Sequence, residues 1–169
     1  MKDKHTRKLI FSALFAALCC AATMIIKFPT AIGYVNAGDA VVLLGAFLLG
    51  PWWGALAAGL GSALADLLAG YAMYVPGTLL IKALMALAAG KLLNTLGLKK
   101  PVPAAVAAGC IAEAIMVAGY FLYECFILGY GAAALGSVPF NLLQGVFGAA
   151  AGAALFAALC KMPYVREIM

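Results

Sequence analysis

The sequence predicts an all-α integral membrane protein, a single bundle of six transmembrane helices with both termini cytoplasmic. Three observations carry that expectation. Of 169 residues, 67% are hydrophobic and only 10% charged, and the mean hydropathy is +1.09, far outside the range of soluble domains. Apolar runs of roughly 20 residues, the length that crosses about 30 Å of hydrocarbon, alternate with breaks built from Gly, Pro and Lys. The basic residues concentrate in alternate breaks, as the positive-inside rule requires. One domain over 1–169 follows, since little chain remains for anything outside the bilayer.

The first span, 9–26, follows Lys2, Lys4, Arg7 and Lys8 and runs uninterrupted, longer than the apolar part of a signal peptide, so it is expected to be retained. Leu18, standing before Cys19, also departs from a lipoprotein cleavage site. Lys27, Pro29 and a turn-like segment around Gly33 close this span. The second, 32–50, ends at Gly50-Pro51. Counted from Asp39 it is too short to cross, so it either starts near Ile32 or is a short half-buried helix. The third, 51–69, ends at Gly70-Tyr71, and the fourth, 76–96, opens on Pro76, a residue suited to a first helical turn. Lys99, Lys100, Pro101 and Pro103 mark a break before the fifth, 102–128, which is long enough that it must tilt or protrude. The sixth, 138–160, stops before Met162-Pro163.

With six spans, Lys91, Lys99, Lys100, Lys161 and Arg166 join the N-terminal cluster on one side, leaving Lys27 on the other and Lys82 within a helix. Trp52 and Trp53 then sit at the cytoplasmic interface. Tyr34, Tyr71, Tyr74 and Tyr130 gather at the outer one.

Ionisable groups at membrane depth are costly unless paired or wetted, so they mark a candidate site. At about 1.5 Å of rise per residue, Asp39, Asp66, Lys82, Glu124, Asn141 and Gln144 fall in the outer half, and Glu113 nearer the middle. Glu113 and Glu124 lie eleven residues apart, about three turns at roughly 3.6 residues each, with Tyr120 on the same stripe. Thr78 and Lys82 share a face, as do Asn141 and Gln144. The expected object is a polar pocket open to the outside, with tyrosines for stacking a flat ring. Asp39 or Asp66 paired with Lys82 has a plain structural reading, a salt bridge joining two helices. Four acids against one lysine leave a surplus, which points to a ligand with amino or hydroxyl donors. The inner half carries no comparable set, unlike a channel or pump.

Small residues recur at four-residue spacing: Ala13, Ala17 and Ala21, with Ser12, Ala16 and Cys20 one row over, and Gly54, Ala58 and Ser62. Gly145, Gly148 and Gly152 form a further row. Such rows let backbones approach closely, mostly inside the bundle, with one row available for a partner. The five cysteines lack metal-ligand spacing and are expected to act as small buried hydrophobes. Several function classes find no support. The lone histidine, His5, lies in the tail, which removes an intramembrane Ser-His protease. No P-loop, no metal cluster and no basic face for nucleic acid is present. Neither a metal nor another cofactor is expected, and an acid-base enzyme using Glu113 lacks a second catalytic group.

The motifs Asn36-Ala37-Gly38-Asp39, Gly50-Pro51-x-x-Gly54, Gly61-Ser62, Asp66-Leu67, Gly70-Tyr71 and Pro76-x-Thr78 with Lys82 together resemble the substrate-binding (S) components of energy-coupling factor (ECF) transporters. The riboflavin-type and hydroxymethylpyrimidine or vitamin B6-type subgroup is the one they resemble most. The resemblance implies a multi-pass subunit of a prokaryotic cytoplasmic membrane. Such a subunit captures a small ring-bearing vitamin outside and delivers it by toppling on a transmembrane T component that carries two ATPases. ATP hydrolysis would then belong to the partners, and the chain itself would not be an enzyme. The family's alanine row carries over to Ala13 and Ala17, with Ala21 next in line, as the T-component contact. The candidate substrate-binding residues are Asn36, Asp39, Asp66, Tyr74, Thr78, Lys82, Glu113, Tyr120, Glu124, Asn141 and Gln144. Three alternatives stay open: a stand-alone proton-coupled carrier using Glu113, an S component for riboflavin or another vitamin, and a purely structural subunit.

Overall fold

The fold is organised around a helix too short to cross a bilayer. In the computed structural model, which describes residues 4–30, 33–97 and 100–162, helix α2 covers Gly38–Leu49. Its 12 residues rise about 18 Å, and every one except Val41 is buried. A helix apolar all round belongs inside a bundle, and α2 packs against α1 (Lys4–Ile25), α3 (Pro51–Leu68), α4 (Val75–Leu96) and α6 (Val138–Leu159). Helix α5 (Pro101–Leu122) completes the ring between α4 and α6.

Among the described residues, four helical stretches are long and apolar enough to cross a membrane: His5–Ile25, Ala72–Leu96, Pro101–Ile127 and Gly131–Leu159. Helix α3, with 18 residues, links the buried α2 to α4. The starting point of the second span at Ile32, and the tail or loop charges Lys2, Lys99 and Arg166, lie outside the described residues.

Two departures from the sequence expectation shape the site. The segment before α2 is no helix but an antiparallel ribbon, β1 (Lys27–Thr30) paired with β2 (Gly33–Asn36), Lys27 opposite Asn36 and Pro29 opposite Tyr34. The fold is all-helical apart from this short ribbon. Phe28, Thr30, Tyr34 and Val35 favour an extended backbone, Pro29 is tolerated because a two-stranded ribbon has only edges, and Ala37 N–H closes the ribbon onto Ile26 C=O at 3.0 Å. The fifth span is likewise not one regular helix. It passes at Tyr123–Ile127 into a π-helical turn, followed by a 3₁₀ segment over Gly131–Gly136. The π-turn inserts extra backbone and re-aims the side chains it carries, Glu124 among them.

Small residues set the helix spacing. Gly50, at φ +83°, turns the chain sharply between α2 and α3, and Pro51 starts α3. A Cβ on Gly54 would lie 2.6 Å from Ala46 Cα of α2, and one on Gly90 would lie 2.7 Å from Pro51 Cα. The row Gly54, Ala58, Ser62 is buried. In the first helix, Ser12 and Cys20 are buried and Ala16 half-buried against α3, whereas Ala13, Ala17 and Ala21 are all exposed. The α6 row, Gly145, Gly148 and Gly152, faces α5 and α2. The cysteines divide: Cys19 and Cys20 are buried, but Cys125 and Cys160 are half-buried and Cys110 is exposed. An apolar thiol facing hydrocarbon needs no burial in protein, which is why the expectation of uniform burial fails.

Gly61→Ala would set a Cβ 2.9 Å from Ala16 Cα. The expected result is a loss of about 1–3 kcal/mol, read as a lower unfolding midpoint in detergent. An unchanged midpoint would mean that α1 and α3 do not approach so closely.

Candidate functional site

The ribbon, the Ala72–Tyr74 turn, the π-turn and the 3₁₀ segment gather at one end of the bundle, and a polar chamber lies beneath them. Trp52, Trp53 and Lys91 sit at the other end, where the Lys91 ammonium stands 5.5 Å from the Trp52 ring and His5 meets Trp53 edge-on at 5.1 Å. The chamber's wall draws on the ribbon and four helices: Tyr34 and Asn36 from β2, Asp66 from α3, Tyr74 and Thr78 at the start of α4, Tyr120 and Glu124 from α5 and its π-turn, and Asn141 and Gln144 from α6. Its free volume is about 40 Å³. At roughly 10–15 Å³ per water, that holds about three waters.

Eight of the eleven sequence-selected residues line this chamber: Asn36, Asp66, Tyr74, Thr78, Tyr120, Glu124, Asn141 and Gln144. The other three, Asp39, Lys82 and Glu113, are not part of its wall. Asp39 begins α2 and forms a buried salt bridge with Lys82 of α4. Of the two pairings the sequence allowed, this is the one that forms. Its second oxygen, Oδ2, accepts from Gln144 Nε2 at 2.6 Å, and Gln144 Oε1 accepts the Asn36 backbone N–H at 2.7 Å. Asn36 Oδ1 in turn accepts the Gly38 N–H at 2.8 Å, tying the first turn of α2 to the ribbon. A continuous polar line therefore joins α4, α2, α6 and β2 below the chamber. The Lys82 ammonium also stands 5.4 Å from the Tyr120 ring, a cation-π distance.

Glu113 is buried three turns deeper along α5 than Glu124, with both carboxylate oxygens lacking a hydrogen-bond partner. Gly145 and Gly148 make room for it: a Cβ on Gly148 would lie 2.8 Å from Asp39 Cβ and would overlap Glu113 Oε1. The shared stripe predicted for Glu113, Tyr120 and Glu124 is thus divided by depth, because about 16 Å of helix separates its ends.

Within the chamber most polar atoms are already matched. Tyr74 Oη donates to Glu124 Oε1 at 3.2 Å, and Ser137 Oγ donates to Glu124 Oε2. Thr78 Oγ1 and Tyr120 Oη share a hydrogen bond of 2.9 Å. Tyr34 Oη donates to Asp66 Oδ1 at 2.5 Å, while Asp66 Oδ2 is buried without a partner. Tyr34, Tyr71 and Tyr74 form a chain of rings, with centroids 4.9 and 6.3 Å apart. No Lys, Arg or His lines the chamber among the described residues.

Tyr34, Tyr71, Ser137 and Phe140 also line the chamber and were absent from the sequence selection. The two tyrosines read as interfacial anchors. Their position one residue past a Gly, at Gly33 and Gly70, both at positive φ, is the signal that tight turns aim them inward. Ser137 carried no signal, since its role depends on the π-turn that brings Glu124 to it.

Comparison with known proteins bears on the whole arrangement. The model of the family described as ECF-type riboflavin transporter, S component, matches residues 3–161. Among solved structures, the crystal structure at 2.1 Å of the S-component for biotin from an ECF-type ABC transporter superposes with a TM-score of 0.74, covering 99% of this chain and 98% of that one. At 13% identity that likeness is one of fold. An uncharacterized protein in a gap 3' region of Pyrococcus woesei is 45% identical over 62 residues, 36% of this chain and 41% of its own length. The match therefore spans less than half of that relative.

Lys82→Met leaves Asp39 charged, buried and uncompensated, and should destabilise the protein by about 3–5 kcal/mol. The double change with Asp39→Asn should recover much of that loss in denaturation of the detergent-solubilised chain. Equal losses for the single and double variants would show that the pair is not coupled.

Proposed function

Because the chain belongs to the family of ECF-type S components, we propose that it is the substrate-binding subunit of a vitamin uptake transporter, taking a small ring-bearing vitamin or precursor of pyridoxine or hydroxymethylpyrimidine type. The observation that carries the reading is the one-sided polar chamber, lined by tyrosine rings and by hydrogen-bonding side chains from the ribbon, α3, α4, α5 and α6. Below it the polar line ends at the Asp39–Lys82 pair, and the seams beneath are lined by Leu43, Ala46, Met85 and Phe156. Such a chamber captures without conducting.

The proposed topology has six spans and both termini in the cytoplasm, with the chamber opening outside and α2 with the ribbon forming the shortened second span. Delivery then requires partners: a transmembrane T component and two ATPases that hydrolyse ATP, this chain itself catalysing nothing. Ala13, Ala17 and Ala21 are the proposed contact, supported by their exposure on a helix whose neighbouring small row is packed internally. The chamber's small free volume supports ligand entry by displacement of the ribbon, which carries Tyr34 but not Asp66.

A second reading, a stand-alone proton-coupled carrier, has one observation in its favour, the unpartnered buried Glu113. The two readings differ in vesicles. The S-component reading expects no uptake without T component and ATPases, and uptake by this chain alone would overturn it. Native mass spectrometry of the purified protein should detect a bound vitamin. An empty protein that also ignores a vitamin panel would count against the reading. Ala17→Trp should abolish uptake by the assembled transporter and pull-down of the T component while leaving vitamin affinity within about twofold. Undiminished complex formation would refute the contact.

A further inference from the structure

Resting on the substrate-binding reading above, we propose that Asp66 is the residue that selects the ligand. Its Oδ2 is the acceptor for an N–H donor on the edge of a flat ring, and the ligand it takes carries no negative charge.

The inference follows from what each acid is already doing. Of the acids in the described chain, only Asp66 and Glu124 line the chamber. Both oxygens of Glu124 are occupied, one by Tyr74 and the other by Ser137. Asp39 is consumed by Lys82 and Gln144 below the floor, and Glu113 lies deeper still. Asp66 differs from all of these. It is 5% exposed, faces the chamber, and keeps one oxygen matched by Tyr34 and the other unmatched. The Thr78 hydroxyl, which shares a hydrogen bond with Tyr120 in which either oxygen can donate, also bears on Asp66, so a ligand donor at Oδ2 competes only with that one hydroxyl. A buried acceptor left without a donor is unfavourable, so a ligand donor arriving there gains more than the same bond made in water.

The electrostatics point the same way. The chamber wall holds two carboxylates and no basic side chain among the described residues, because Lys82, the buried lysine of α4, is paired beneath it. An anionic ligand would find no basic side chain in the wall itself, the nearest ammoniums being Lys82, paired with Asp39 and 5.4 Å from the Tyr120 ring, and Lys27, outside against the Tyr34 ring at 5.6 Å. A neutral or cationic heterocycle bearing an amino group would instead meet Oδ2 at its edge and the Tyr34, Tyr71 and Tyr74 rings at its face. Asp66 is also placed to stay put. It sits on α3, whereas Tyr34, its present partner, rides on the ribbon, so displacement of the ribbon frees Oδ1 as well and leaves the anchor in place.

The test is calorimetric titration of the full-length chain in detergent with hydroxymethylpyrimidine, which offers an amino donor, and with biotin, which offers a carboxylate. The wild type should bind the first and not the second. Asp66→Asn should weaken binding about 100-fold with its unfolding midpoint retained. Because that variant can also disturb folding, the wild type is titrated with the probe whose amine is dimethylated. Losing the N–H donors should again weaken binding about 100-fold. Full affinity in Asp66→Asn, full affinity for the dimethylated probe, preference for biotin, or binding of neither probe would overturn the assignment. Complex formation with the T component separates the two failures. If the complex forms, only the anchor is wrong; if it does not, the transport reading falls too.

Discussion

The Asp39–Lys82 salt bridge is the constraint on which the rest of the structure depends. Helix α2 is so thoroughly apolar that hydropathy alone hardly distinguishes one depth from another, and its shortness removes the usual register set by two interfaces. A single charge at its first turn, held by the ammonium of α4, fixes both. A buried pair of this kind is weak evidence for added stability against an apolar alternative. It is strong evidence for a specified arrangement, because the misaligned states leave two charges unpaired in a low dielectric. Gln144 extends the constraint to α6 and, through Asn36, to the ribbon. Each polar atom in that line has one partner that suits it, so the chamber floor is set before any ligand arrives.

How much of this could be read beforehand differs by type of signal. The helical stretches were legible because hydropathy and Gly-Pro punctuation are local, and the small-residue rows announced close helix seams, which Gly54 and Gly148 then realise against Ala46 and Glu113. Polar residues at depth pointed to the right end of the bundle. Their grouping was less legible. Asp39 and Lys82 had the same surface signature as Asp66 and Glu124, and only the three-dimensional arrangement separates a floor pair from chamber walls. The ribbon was missed because Lys27–Asn36 is short, with Pro29 and Gly33 reading as loop punctuation. The π-turn has no sequence signature at all. It carries Glu124, whose two oxygens are taken by Tyr74 and Ser137.

Fold and chamber are also separable in comparison. A scaffold that superposes over nearly its full length with an S-component for biotin at 13% identity leaves almost every side chain free to differ. The shared object is the fold, and what a chamber built on it accepts is a matter of the side chains grafted there. The charge balance of this chamber, two carboxylates and no wall cation among the described residues, is a property of those side chains and not of the scaffold.

The ribbon has a consequence for how such a protein changes over time. It contributes Tyr34 and Asn36 to the chamber, yet it packs on the bundle's end and takes no part in the seams between helices. Substitutions at Thr30, Gly33, Tyr34 or Val35 therefore alter the chamber's roof without touching the close contacts that hold α1, α2, α3 and α6 together. Mutational tolerance is unevenly spread. The glycine seams leave no room for a side chain, whereas Thr30, Tyr34 and Val35 meet no such limit, so the roof can be rewritten while Asp66 and the helical walls are kept.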